Sequence, residues 1–154
     1  MDWNPHIWPP FTQITSSPPP ELIQSANGVI LYRDKGAPLI DAISSWWVTL
    51  HGHANPIIAE AIHKQAKELE PVIFADFLHP QAEVLATRLS QLTGLDRLFF
   101  SDNGSTAVEV ALKIACQYWQ NINEKRLQII AFEGAYHGDT FGAMAIGERN
   151  LFNA

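Results

Sequence analysis

The sequence has little cysteine, little charge and no long hydrophobic run. A single cysteine among 154 residues, Cys116, excludes an internal disulfide and fits a reducing compartment. Ten Lys and Arg against 16 Asp and Glu leave a formal charge of −6, and the cations are scattered rather than clustered. No basic face is available for a phosphodiester backbone, which argues against nucleic acid as a partner. No apolar run approaches the length needed to span a bilayer, and the opening MDWNPHIWPPF lacks the basic and then apolar layout of a signal peptide. The expected location is the cytoplasm, with no membrane partner. Internal repeats and low-complexity segments are missing. So are the G-x-x-x-x-G-K-[ST] and G-x-G-x-x-G patterns, which removes the P-loop and the dinucleotide fingerprint from consideration.

What is present is apolar: 47% of the residues, against 17% charged, in the length of one ordinary domain, so much surface is expected to be buried. The first twenty residues hold six of the ten prolines together with Trp3, Trp8 and Phe11, which predicts an extended arm lying on other surface. Residues 29–33 and 38–43 read as a hairpin around Asp34-Lys35-Gly36. Asn55-Pro56 supplies an N-cap followed by proline at the first helical position, and Ile57, Ile58, Ala61, Ile62 and Leu69 recur at helical spacing. A second helix is predicted over 81–93, ended by Gly94. Strand, helix and strand follow at 97–101, 106–120 and 127–133. That order predicts right-handed crossovers and a parallel sheet covered on both faces. Two such strands do not close a sheet, so the chain reads as the front part of a larger α/β domain.

Ligands of open α/β sheets sit beyond the carboxyl ends of strands, where loops enter helices, and Gly104-Ser105-Thr106 stands at such a place. Two readings are open. Glycine permits close approach, the hydroxyls add donors, and the helix N-terminus favours an anion such as phosphate. Alternatively, Thr106 and Glu109 form a capping box that satisfies the helix without any ligand. The loop Tyr136-His137-Gly138-Asp139-Thr140, expected at the same sheet edge, either brings a ring, an imidazole and a carboxylate to that anion or merely turns the chain. His51 and His53 have the spacing of two metal ligands on a strand, but lack an identifiable third. Trp46-Trp47, read as extended, places only one ring inward and leaves the other for a ligand, a partner or water. Cys116 reads as a small core residue rather than a nucleophile.

The stretches HIWPPFTQ, DAISSWWVTLHGHANP, DNGSTAVEVALKIACQYW and AYHGDTFGAM together resemble the class III, fold-type I pyridoxal-phosphate aminotransferases over nearly the whole chain. GSTAVEVALK and YHGDT are general to that family. HIW, the aromatic at Phe11 and SSWW point within it to the branch that serves biotin synthesis. The resemblance implies an arm and hairpin of the small domain over residues 1–55 and the start of the cofactor-binding large domain over 56–154. It implies that Gly104 and Ser105, with Thr106, hold the phosphate of pyridoxal 5'-phosphate and that Tyr136 stacks on its ring. Trp46, Tyr136, Asp139, Phe11 and Trp47 would line the pocket for 8-amino-7-oxononanoate, with S-adenosylmethionine as amino donor. The sequence departs from the family pattern at Phe11, where a tyrosine is usual, and at Pro9, where histidine is common.

The resemblance further implies a homodimer, a Schiff-base lysine, an aspartate for the pyridinium nitrogen and an arginine for the substrate carboxylate. All three residues are expected beyond these 154. Lys113 lies seven residues past Thr106, roughly 10 Å along a helix from the phosphate end, and Lys35, Lys64, Lys67 and Lys125 fall on turns or solvent faces, so no catalytic lysine is expected here. The rival readings are a class III transaminase for ω-amino acids, a non-catalytic phosphate-binding module, and a metal hydrolase using His51 and His53.

Overall fold

A computed structural model describes residue 4 and residues 6–148, and the chain divides into two compact units, Met1–Ile73 and Phe74–Ala154. In the first unit the described part of the arm is not extended; Trp3 lies outside the described residues. Trp8 Nε1 donates to the Thr12 carbonyl at 3.1 Å, the Thr12 hydroxyl donates to the Pro9 carbonyl at 2.6 Å, and the N–H groups of Ser16 and Ser17 both reach the Gln13 carbonyl. Proline removes donors and fixes φ without dictating a straight path, and hydroxyls at 12 and 17 satisfy the bends between.

The arm leads into a three-stranded antiparallel sheet in the order β1 (Ile23–Asn27), β2 (Ile30–Arg33), β3 (Leu39–Ile40). The expected hairpin is therefore present as β2–β3, with a shorter second strand, pairing Ile30 with Ile40 and Leu31 with Leu39. β1 was not expected, because IQSAN carries no apolar alternation. It forms because Gly28, at φ 56°, turns the chain back within two residues and pairs Asn27 with Ile30.

Ser44–Trp47 forms one helical turn, α1, of the wrong hand. Ser45 lies at φ 46°, ψ 51° and Trp46 at φ 67°, ψ 50°, with Ser44 and Trp47 also at positive φ. Left-handed backbone costs an L-residue roughly 1–2 kcal/mol, and four adjacent residues bear it. The extended reading of Trp46-Trp47 is thereby corrected. Both indoles stand exposed, Trp46 at 55% and Trp47 at 73%. Next, α2 (Pro56–Glu68) starts where expected, with the Asn55 side-chain oxygen accepting from the N–H groups of Ile57 and Ile58.

The second unit is helical. α3 (Pro80–Thr93) ends at Gly94, which takes the left-handed conformation at φ 71° and donates its N–H to the Ser90 carbonyl. α4 (Gly104–Asn121) and α5 (Phe141–Ala145) follow and touch one another. Residues 97–101 and 127–133, expected as parallel strands, join no ladder among the described residues. A strand is held by its neighbours' N–H and C=O groups, and neither run has such a partner among the described residues. Among the described residues Ala82 and Ala143 are the buried hydrophobics, while Ile130 is 97% exposed and Phe132 87%. Cys116, read as core, is exposed as well.

Candidate active site

The turn before α4 assigns separate tasks to its residues. Asn103 is the N-cap: its side-chain oxygen accepts from the Thr106 N–H at 3.0 Å, and the Thr106 hydroxyl accepts from the Asn103 N–H at 3.1 Å. This reciprocal pair replaces the box expected between Thr106 and Glu109. The Thr106 hydroxyl is further engaged by the Asn103 carbonyl at 3.0 Å and the Ser101 hydroxyl at 2.5 Å, so its hydrogen-bonding capacity is spent within the turn.

Ser105 is used differently. Its Oγ accepts the N–H of Asp139, 34 residues on, at 3.0 Å, which leaves its own proton to donate elsewhere. As the first residues of the helix, Gly104 and Ser105 have N–H groups without intrahelical acceptors. A side chain added at Gly104 would meet nothing within 4 Å. Open space, two N–H groups unclaimed among the described residues, a hydroxyl proton and the positive end of an 18-residue helix suit an anion.

Glu109 closes the second contact between α4 and the loop. Its carboxylate accepts the Gly142 N–H at 2.8 Å across 33 residues. The Thr140 hydroxyl, buried and without a bond of good geometry, is still the main influence holding this carboxyl below the usual carboxylate range, ahead of the Gly142 N–H. Gly138 makes the approach possible: a Cβ there would collide with the side chain of Ser105, and at φ 124° the position favours glycine in any case. Within the loop the Tyr136 hydroxyl donates to Asp139 Oδ2 at 2.8 Å, and this bond, with burial and the carboxylate's charge, pushes the phenol above its ordinary 10.0. The ring itself is 72% exposed. His137 has a buried Nε2 with no hydrogen-bond partner among the described residues.

In the first unit a separate aromatic group forms. Phe11 stacks on Trp46 with centroids 5.6 Å apart and planes 30° from parallel, and Trp47 meets Trp46 edge-on at 6.0 Å. The candidate residues thus gather in two places: Gly104, Ser105, Thr106, Tyr136 and Asp139 in one unit, Phe11, Trp46 and Trp47 in the other. His53 is committed to Asp41, with Nε2 2.8 Å from Oδ2. No group of three metal-ligating side chains exists among the described residues. Asn103 and Asp41 escaped the sequence reading, and Glu109, read there as part of a capping box, binds the loop instead. Their signals are an Asx residue before a helix, a carboxylate ahead of SSWW and a carboxylate inside GSTAVEVALK.

The architecture is that of the front of a fold-type I pyridoxal-phosphate transferase. The crystal structure of adenosylmethionine-8-amino-7-oxononanoate aminotransferase from Methanocaldococcus jannaschii is similar with a TM-score of 0.86 at 35% identity, over 92% of this chain and 34% of that one. A PLP-bound amine transaminase from an uncultivated Pseudomonas species matches with a TM-score of 0.84 at 27% identity, over 99% of this chain and 36% of its own. The family model for aminotransferase class III covers residues 12–152, and the chain belongs to that family. Among curated relatives, the adenosylmethionine-8-amino-7-oxononanoate aminotransferase of Synechococcus elongatus is 58% identical over all of this chain and 37% of its own length. That of Buchnera aphidicola subsp. Schizaphis graminum is 42% identical over 94% of this chain and 34% of its own. The chain therefore spans about a third of the length of these relatives. Pyridoxal 5'-phosphate is the cofactor of the family, and the N-terminus of α4 with its unspent hydroxyl proton fits the phosphate of that group.

Proposed function

We propose that this chain is part of the aminotransferase that converts 8-amino-7-oxononanoate to 7,8-diaminononanoate in biotin synthesis, with S-adenosylmethionine as amino donor. The observation that carries the reading is the 58% identity to the Synechococcus elongatus enzyme over the full chain, against 27% for the Pseudomonas amine transaminase. In this reading residues 1–55 belong to the small domain and 56–154 begin the large, cofactor-binding one. The enzyme is cytoplasmic and a homodimer. Among the described residues no helix is long and apolar enough to cross a membrane.

When bound, pyridoxal phosphate supplies an electron sink for the carbanion at the substrate carbon. The chain's own residues bind and orient. Gly104 and Ser105 hold the phosphate through their N–H groups and the Ser105 hydroxyl, while Thr106 supports them as part of the cap. Tyr136 offers its exposed face to the ring, and Asp139 restrains the phenol so that the ring does not swing. Phe11, Trp46 and Trp47 form an apolar wall that excludes water from the substrate's hydrocarbon chain. Proton transfer falls to a lysine outside these 154 residues. Lys113, the nearest in sequence, sits exposed in the middle of α4.

The test is a transamination assay of the full-length protein with 8-amino-7-oxononanoate, comparing S-adenosylmethionine with ornithine, 4-aminobutyrate and other ω-amino acids as donors. Formation of diaminononanoate supports the reading. Turnover confined to ω-amino acids with simple keto acids would assign the protein to another branch of class III.

A further inference from the structure

The left-handed turn of α1 raises a question that its own hydrogen bonds do not answer. The N–H of Trp47 reaches the Ile43 carbonyl at 3.0 Å, and the N–H groups of Val48 and Thr49 reach the Ser44 carbonyl at 2.9 and 3.0 Å. A right-handed turn would make bonds of the same kind at lower conformational cost. Within these 154 residues the handedness brings no burial either, since Trp46 and Trp47 are exposed. Something outside the turn must select it.

Asp41 is placed to do so. Its Oδ2 takes the Ser45 hydroxyl at 2.8 Å and lies 2.8 Å from His53 Nε2, and its Oδ1 takes the Ile43 N–H at 3.4 Å. The side chain of Asp41 is 5% exposed and that of His53 18%. Both are anchored to one corner of the sheet. The Asp41 N–H donates to the Val29 carbonyl at 2.8 Å, and His53 exchanges N–H and C=O bonds with Gly28 at 2.8 and 3.0 Å. Residues 42–52 are thus an excursion closed at its base on rigid backbone, with its first turn pinned from below. The Ser45 main-chain N–H, the His53 ring and the Ser45 hydroxyl, in that order, hold the Asp41 carboxyl far below the usual carboxylate range. The bonds therefore favour the charged form.

We propose that Asp41 and His53 are positioning residues for substrate recognition: their clasp keeps Ser44–Trp47 left-handed and so sets where the Trp46 indole stands against Phe11. Backbone strain held by surrounding structure and spent on placing exposed side chains is a known use of such outliers. The inference rests on the reading of Trp46 as a wall of the substrate site.

Two indoles 6.0 Å apart at 83° couple electronically, so the Trp46–Trp47 pair should give a circular dichroism signal that reports the turn without any turnover. In the full-length holoenzyme, Asp41→Asn is expected to abolish that signal. It should raise KM for 8-amino-7-oxononanoate about tenfold, the scale of a small misplacement, with pyridoxal-phosphate affinity unchanged. Adding Ser44→Gly to Asp41→Asn should restore both, because glycine takes positive φ without the penalty. Should Asp41→Asn fail to fold, Ser45→Ala removes one bond of the clasp and is expected to shift signal and KM in the same direction. An unaltered signal in whichever of these two variants folds would overturn the proposal, as would a lost signal with unaltered KM where Trp46→Ala does raise KM. If Trp46→Ala leaves KM unaltered, the substrate-wall reading fails instead, and the dichroism still decides whether the clasp controls the turn.

Discussion

Ser105 and Thr106 are adjacent hydroxyl residues with opposite commitments. Thr106 spends its hydroxyl on Asn103 and Ser101, whereas Ser105 accepts from Asp139 and keeps its proton. Ser105→Ala in the full-length protein should therefore weaken pyridoxal-phosphate binding by about 1–3 kcal/mol, the cost of losing a hydrogen bond to a charged group. Thr106→Ala should lower stability by about 1 kcal/mol whether or not cofactor is present. Cofactor titration of both variants, with melting measured at several cofactor concentrations, separates them, because ligand-linked stability grows with free ligand and a cap does not. Equal affinity of Ser105→Ala and the parent would mean that the phosphate is held without the hydroxyl. Tyr136 supplies a second test at this scale. Its phenol is raised above 10.0 by the bond to Asp139, so spectroscopic titration should show it protonated to higher pH than an ordinary tyrosine. Asp139→Asn should move the titration back down. A titration unmoved by that substitution would remove Asp139 as the restraint on the ring.

At the scale of elements, α4 and α5 are joined by one carboxylate. Glu109 is held below its ordinary 4.5 by the Thr140 hydroxyl and then the Gly142 N–H. A carboxyl whose folded value is depressed stabilises fully above its unfolded value and loses that contribution as pH falls through the folded one. The acid side of the stability profile, below about pH 4.5, should accordingly be less steep in Glu109→Gln than in the parent, with the two curves converging as pH falls. Thermal melting across that range measures it. Parallel curves would mean that Glu109 does not prefer its charged form when folded. Gly138→Ala tests the same junction sterically. The added methyl collides with Ser105, so the Asp139 N–H must leave its acceptor, and cofactor affinity should fall with α4 itself intact.

At the scale of the whole chain, large apolar side chains stand widely open to solvent among the described residues. Ile73, Phe77 and Leu78 in the stretch PVIFADFLH are 68%, 58% and 68% exposed, and Trp8 and Phe11 in the arm are each 70% exposed. Apolar groups of this size gain free energy by leaving water, and contiguous patches of them mark interaction surfaces. The arm and residues 71–79 are expected to pack against a second subunit in the full-length enzyme. Sedimentation or light scattering at working concentration checks this, and an active monomer would sink it.

Helices α2, α3 and α4 were legible from the sequence because their signals are local: Asn55-Pro56 caps α2 and Gly94 ends α3, each through atoms within a few residues. The GST turn and the YHGDT loop were legible as stretches characteristic of the family, which could be recognised from them. The division of labour between Ser105 and Thr106 was not, since it depends on an N–H that arrives from 34 residues away. Nor was the fate of residues 97–101 and 127–133, because an apolar run becomes a strand only when another strand supplies its hydrogen bonds. The left-handed turn at Ser44–Trp47 is the sharpest case. Nothing in SSWW favours positive φ, and four non-glycine residues adopt it where Asp41 and His53, twelve apart in sequence and fixed to the same sheet corner, close beneath them. The preference of L-residues for right-handed backbone, roughly 1–2 kcal/mol per residue, is outweighed there by bonds that exist only once the chain has folded.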